Sequence, residues 1–333
     1  MRFALSPEQL DFGVSLRKLL DAGRTPAAVR AWADGDPRPG RGLIRQLAGA
    51  GALGLAVRET HGGMEAEPID LVVAFQELGR AAAPGPVVET GAAIPALLQA
   101  LPHSDLAARW LPGFADGVAL GTLAFARPGR DPVALDADTA EVVLIADGDR
   151  LSTGKRTGPV RSIDPARRLF QVAADEVLAE GEGVAEAAAA AFDAGALAVS
   201  AQLLGAGRAL LHAATEYAKQ RKQFGKPIGE FQAVKQKLAD VLIKLDLAEP
   251  LLFRAALTTE TATRSRDVSA AAIACGDAAY AAARAALQVH GAIGYTAEYD
   301  LSLWLTKVTA LRSAWGTPDS HRARVARALR GTA

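Results

Sequence analysis

RKQFGKPIGEFQ, Arg221–Gln232, stands between two segments of helical periodicity and decides how they are arranged. Upstream, residues 185–220 read as one long Ala/Leu-rich helix; downstream, from about Glu230, Val234, Leu238, Val241 and Leu245 recur at helical spacing. Gly225, Pro227 and Gly229 supply a tight elbow, so the two helices run antiparallel. Turn chemistry does not account for the other residues. Arg221, Phe224 and Gln232 put a guanidinium, an aromatic ring and an amide into one short connection. The guanidinium is a planar donor fork suited to phosphate oxygens, and each charge-assisted bond contributes about 1.5–3 kcal/mol.

Working outward, Pro250 is expected to kink or end the helix after the elbow. A third helix, about 269–290, is rich in Ala, with Gly291 as its natural C′ residue. A fourth covers 301–314 with Leu301, Trp304, Leu305, Val308 and Leu311, and a short terminal helix follows Pro318. Four long helices with short connections predict a four-helix bundle over 183–333. Residues 1–118 read as a separate helical domain. Ser6 is its first N-cap, Pro7 follows, and Leu10, Val14 and Leu20 point to one face. RGLIRQLAGAGALGLAV is a second helix that breaks up at its glycines, IDLVVAFQELGRAA carries Leu71, Phe75 and Leu78, and AAPGPV forces a turn. Between these helical parts, residues 119–182 hold only a few short β-rich runs, one with a DGD hairpin turn. The fold class expected is mainly α, with a reduced middle β domain.

The composition removes several function classes. Lys+Arg and Asp+Glu both number 37, so a neutral chain of 333 residues is not expected to bind nucleic acid or a membrane surface by charge. Cys275, the single cysteine, excludes an internal disulfide and reads as a packed thiol. The N-terminus carries Glu8 and Asp11 and no long apolar run, so no secretory signal is read. The uncharged stretch Ala194–Gly207 is too short to cross a bilayer and suits a core helix. Those features together predict a soluble, cytoplasmic protein. Gly205 and Gly207 lack the third glycine and preceding strand of a dinucleotide fingerprint, so they are read as helix-packing residues. The five histidines show no metal-ligand spacing, so no metal site is expected; Asp319 and His321 read as a solvated pair. The arginines of HRARVARALR read as a solvated helix end.

One more segment resists a purely structural reading. In QVHGAIGYTAEY, Gln288–Tyr299, Gln288 closes a helix, while Gly291 and Gly294 let a ligand approach backbone without a Cβ in the way. With the elbow, it resembles the acyl-CoA dehydrogenase family. The elbow is similar to that family's Arg-Lys-x-Phe-Gly signature with its trailing Gln. The second segment is similar to its Gln-x-x-Gly-Gly-x-Gly signature, with Ala292 in place of one glycine. ETHGG and QELGRAAAPGP extend the likeness into the N-terminal domain. The resemblance implies an FAD whose ADP end is gripped by one subunit while the flavin sits in its neighbour. Arg221 would then pair the pyrophosphate, with Phe224 and Gln232 beside it. Gln288, Gly291 and Ala292 would lie along the adenosine and diphosphate.

The resemblance fails at the chemistry. The family's catalytic Glu usually follows the fourth bundle helix, where this chain has Trp315 in SAWGTPD; indole only donates and cannot take a proton. The alternative seat, on the first bundle helix, falls on Gly195, and Ala196 replaces the arginine that usually follows. A missing base costs on the order of 10²–10⁴ in rate. The family's Trp-Ile-Thr segment, which contacts the flavin ring, is absent, and LAFARPGRD stands near the first ring-contacting site. No catalytic residue is therefore assigned. The expected function is that of the smaller, non-catalytic subunit of an α2β2 acyl-CoA dehydrogenase. Its full-length homologous partner would supply the Glu, the flavin-ring cradle and most of the acyl-CoA contacts. Actinobacterial enzymes acting on steroid side-chain CoA thioesters have this organisation, with electron-transfer flavoprotein as acceptor. Two alternatives remain: a self-sufficient homomer whose base has moved to Glu182 or Glu186, and a flavin-free scaffold.

Overall fold

The computed structural model describes residues 4–102, 105–296 and 298–331. The N-terminal region contains α1 (Pro7–Ala22), α2 (Thr25–Ala33), α3 (Arg38–Gly49), α4 (Pro68–Arg80), α5 (Ile94–Ala100) and α6 (Leu106–Ala115), with a π-helical turn at Glu89–Ala93. α1 opens on the expected Ser6 cap, a reciprocal box with Gln9. Its buried face is nevertheless Gly13, Leu16 and Leu20; Leu10 and Val14 are 55% and 45% exposed, contrary to the sequence reading. Gly13 sets this rotation, because a Cβ there would stand 3.2 Å from Val73 and so α4 packs close on that side. α2 went unforeseen. Arg45 and Gln46 of α3 stay outside while Leu43, Ile44 and Leu47 are buried, and the helix ends at its glycines as expected.

A five-stranded sheet follows: β1 (Gly121–Phe125), β2 (Val133–Leu135), β3 (Val142–Asp147), β4 (Arg150–Val160) and β5 (Leu169–Glu180). The order is β1-β3-β4-β5-β2, with β1 and β3 parallel and the other pairs antiparallel. The DGD turn joins β3 to β4 as predicted. Asp136, just after β2, is fully buried and accepts the Trp32 indole N–H of α2 at 2.9 Å, which ties the sheet to the N-terminal helices.

The rest is helical: α7 (Glu182–Gln220), α8 (Gln232–Leu257), α9 (Arg264–His290), α10 (Leu301–Ala314) and α11 (Pro318–Leu329), with the elbow strands β6 (Lys222–Gln223) and β7 (Lys226–Pro227) between the first two. α7 is long and apolar enough to cross a membrane by composition, yet 72% of its most apolar window is buried in protein. The two glycines Gly205 and Gly207 allow that burial. A Cβ on Gly205 would lie 1.9 Å from the Gln76 carbonyl of α4, and one on Gly207 would lie 2.7 Å from Leu245. α8 continues past Pro250 to Leu257, so Pro250 does not end it. Pro250 is exposed, and burial of Leu245, Ala248, Leu252 and Ala255 on the opposite side offsets the lost backbone bond.

The C-terminal helix also corrects the sequence reading. Asp319 is exposed, but His321 is buried, bonded to Ser269 at 3.2 Å and to the Trp315 carbonyl at 2.9 Å. Arg324 is no solvated end: it reaches buried Asp193 at 2.6 Å and Ser265 at 2.9 Å, pinning α11 to α7 and α9. Cys275 is the packed thiol expected, its pKa pushed up to about 12 by burial.

Candidate functional site

The elbow is a β-hairpin with a two-residue turn. Lys222 pairs with Pro227 and Gln223 with Lys226, while Phe224 (φ 51°) and Gly225 (φ 79°) both take left-handed backbone, the pattern of a type I′ turn. The Ile228 N–H donates to the Arg221 carbonyl at 2.8 Å and closes the hairpin. Gly229 lets it fold back on α7, since a Cβ there would meet the Ala218 carbonyl at 3.1 Å. Arg221 and Gln232 are exposed, and Phe224 is 92% exposed, in a T-shaped pair with Phe231 at 6.2 Å between centroids.

The second segment starts where α9 ends. Gly291 turns the chain with φ 68° and ψ −145°, a conformation closed to other residues, and a 3₁₀ turn continues to Tyr295. Ala297 lies outside the described residues. Buried His290 stacks on Tyr217 at 4.2 Å and leans on Tyr299 at 5.4 Å. Tyr217 is in the last turn of α7, and its carbonyl accepts the Arg221 N–H at 2.9 Å. The aromatic stack therefore brings both segments to one end of the bundle.

Gln288, Gly291 and Ala292 line an open groove of about 920 Å³ between α8 and α9. Gln236, Lys237, Lys244 and Arg284 line it too, and Gln232 stands one turn before Gln236. Among the described residues these three cations make no ion pair. Unpaired cations beside amides and a Cβ-free backbone fit the phosphates and sugar of a dinucleotide. Sequence reading missed Lys237, Lys244 and Arg284. The seven-residue spacing of the two lysines, which repeats a helix face, was the available signal.

The residues at the expected base positions lie away from the elbow, one in the N-terminal third of α7 and the other just after α10, and they touch. A Cβ on Gly195 would stand 2.3–2.6 Å from three atoms of the Trp315 indole, which is itself 6% exposed. The indole occupies the space that a side chain on Gly195 would need. Trp315 also walls a cavity of about 420 Å³ between sheet and bundle, opposite Leu123 and Phe125. Glu89, 3% exposed, lines the same cavity; burial raises its pKa, and Arg167 and the Trp315 indole oppose that rise only in part. Nothing in the sequence reading pointed to it. Glu182 and Glu186 are exposed at the start of α7 and do not line the cavity. From Gly195 to Arg221 the helix runs about 40 Å at ~1.5 Å per residue. Gly195 lies about a third of the way along α7, so the cavity stands beside the helix's N-terminal third while the elbow follows its C-terminal end.

The model of the acyl-CoA dehydrogenase N-terminal domain matches residues 6–118, and that of the acyl-CoA dehydrogenase C-terminal domain matches residues 181–330. Acyl-CoA dehydrogenase IpdE2 of Mycobacterium tuberculosis is 34% identical over 288 residues, covering 85% of each chain. Among solved structures, a chain of the ChsE4–ChsE5 complex from Mycobacterium tuberculosis superposes with a TM-score of 0.84 at 21% identity, over 100% of both chains. A chain of the Tcur3481–Tcur3483 steroid ACAD does so with a TM-score of 0.81 at 23% identity, over 97% of this chain and 98% of that one.

Proposed function

Because the chain belongs to the acyl-CoA dehydrogenase family, we propose that it is the base-less subunit of a heteromeric, FAD-dependent acyl-CoA dehydrogenase. The contact between Trp315 and Gly195 carries this reading. Desaturating a CoA thioester removes the α-hydrogen as a proton and the β-hydrogen as a hydride; bound flavin supplies the hydride acceptor, and the proton needs a base. Indole is no base, and it fills the space over Gly195, so neither seat can deliver a carboxylate. A full-length homologous partner supplies that Glu, the flavin-ring cradle and most of the acyl-CoA contacts.

This chain's own task is to hold the ADP end of FAD. Arg221 meets the pyrophosphate with Phe224 and Gln232 beside it, while Gln288, Gly291 and Ala292 follow the adenosine and diphosphate. Lys237, Lys244 and Arg284 add positive charge along the same groove. The distance of about 40 Å along α7 supports a grip that serves a flavin seated in a neighbouring chain. The working units are the helical domain 1–118, the sheet domain 119–182 and the bundle 183–333. The ChsE4–ChsE5 complex and the steroid ACAD Tcur3481–Tcur3483, each named for two chains, support an unlike pair, and the second name supports a steroid CoA thioester as substrate, which we take to be a side-chain one. The assembly is α2β2, cytoplasmic, and passes its electrons to electron-transfer flavoprotein.

Co-expression with a full-length homologue tests the proposal. The pair is expected to copurify with one FAD per two unlike chains and to oxidise acyl-CoA, while this chain alone binds little flavin. Arg221→Ala in the pair should lower its flavin content. Turnover by the purified chain alone, abolished by Glu89→Gln, would overturn the reading.

A further inference from the structure

His290 is the last residue of α9 and stands where the elbow and the glycine segment after α9 come together. Its ring stacks on Tyr217 of α7 at 4.2 Å and leans on Tyr299 at 5.4 Å. Nδ1 lies 2.8 Å from the Ala286 carbonyl. A carbonyl oxygen only accepts, so Nδ1 carries the proton and Nε2 is left with its lone pair. Nε2 is buried and has no hydrogen-bond partner. A second proton would create an N–H with nothing to receive it, on a residue only 5% exposed. Among the described residues no charged side chain bonds to the ring. Glu216 and Lys219, beside Tyr217, pair with each other at 2.6 Å. Asp300, beside Tyr299, pairs with Arg30 at 2.6 Å, Glu298 is exposed, and Arg284 of α9 lines the groove. Burial lowers the pKa of His290, and the bond to the Ala286 carbonyl opposes that shift only in part.

We propose that His290 is a positioning residue whose neutral ring holds the elbow and the 288–291 segment together, so that its protonation loosens both at once. The inference rests on the reading that these two segments grip the ADP end of FAD. The physical link is short. The Tyr217 carbonyl accepts the Arg221 N–H at 2.9 Å, and Gly291, next to His290, makes the turn at φ 68°. A ring that swings out to be solvated removes the face on which Tyr217 rests, and both connections lose their common support. The loosened form exposes the imidazole, whose ordinary pKa is about 6.5, and so binds the proton more tightly than the closed form does. The closed form is therefore favoured above about pH 6.5 and loses ground as pH falls below it, by at most about tenfold per pH unit for one proton.

Two measurements on the purified unlike pair test this. Release of FAD, followed by the rise in flavin fluorescence, should increase on going from about pH 7.5 to about pH 5.5 at least threefold more in wild type than in His290→Phe. That variant keeps a ring for the stack and takes up no proton. Amide exchange of residues 221–228 should show the same difference between the two proteins. His290→Ala, which keeps no ring, should release flavin faster than His290→Phe. If His290→Phe does not assemble, exchange of the imidazole C2 hydrogen in wild type reads the ring directly: a midpoint below about 6.5 is expected, and one at or above it overturns the inference. Equal pH profiles for wild type and His290→Phe overturn this inference alone when the pair carries FAD and Arg221→Ala lowers its content. A pair without FAD overturns it together with the reading beneath it.

Discussion

Phe224 occupies a left-handed turn position (φ 51°) with 92% of its surface exposed, and each feature disfavours an aromatic side chain. Asn at the first position of a type I′ turn is the choice that folding alone would favour. Phe224→Asn is therefore expected to stabilise the isolated chain by about 0.5–1.5 kcal/mol in denaturant melts, while lowering flavin retention in the assembled pair. A variant that is less stable and keeps its flavin would mean that the ring serves the fold. Trp315 and Gly195 invite the complementary test. Gly195→Ala forces a methyl into the indole and should cost about 1–3 kcal/mol. In a Trp315→Ala background the same change should cost far less, because the space has been vacated. Strict additivity would show that the two positions do not share it.

Asp136 ties the sheet to α2 through the Trp32 indole, and burial pushes its pKa up to about 7. Its folded value then lies above the unfolded one of about 3.9. The folded state thus holds the proton more tightly, and the stabilisation present at low pH is lost as pH rises through about 7. Asp136→Asn keeps an acceptor for Trp32 and removes the titration. Between about pH 4 and 7, the interval from the unfolded to the folded value, wild type should lose stability relative to the variant; parallel curves would remove Asp136 as the cause. Buried Lys307, whose pKa is lowered by burial, acts in the opposite sense; Asp136 partly opposes that lowering, so the variant deepens it and the comparison reads the two groups together. The same elements show what the sequence could disclose. Gly205 and Gly207, Leu71 and Phe75, and the elbow's Gly225 were legible because their reasons are local: spacing, size and backbone freedom. α2 was not, since its anchor, Trp32, finds its partner 104 residues away. The bonds of His321 and Arg324 likewise cross to α7 and α9, so the terminal helix looked solvated. The two motifs at the proposed cofactor groove stood out by residue type, while the meeting of Gly195 with Trp315 and the placing of Glu89 beside them depend on tertiary packing.

Taken as a whole, the chain presents outward the groups proposed to hold the cofactor, and the surface next to them is apolar. Ile243, Leu247 and Leu251 recur every four residues along α8, 56%, 69% and 38% exposed, and Lys244 of the groove sits beside Ile243. A stripe of this kind is a standing cost in water unless another surface covers it. A partner docked there would bring its own flavin towards the groove, which gives the stripe and Arg221 one purpose. Leu247→Glu puts a charge at the most exposed point of the stripe. It should change the stability of the isolated chain by no more than about 0.5 kcal/mol, as expected of a surface substitution. In the assembled protein a buried unpaired carboxylate is far more costly, so copurification with the full-length homologue should fall sharply and flavin content with it. Native mass spectrometry of the pair, beside a melt of the single chain, reads both effects. If Leu247→Glu leaves pairing intact, the α8 stripe is not the surface through which the unlike chains meet, and the groove must reach its flavin from another side.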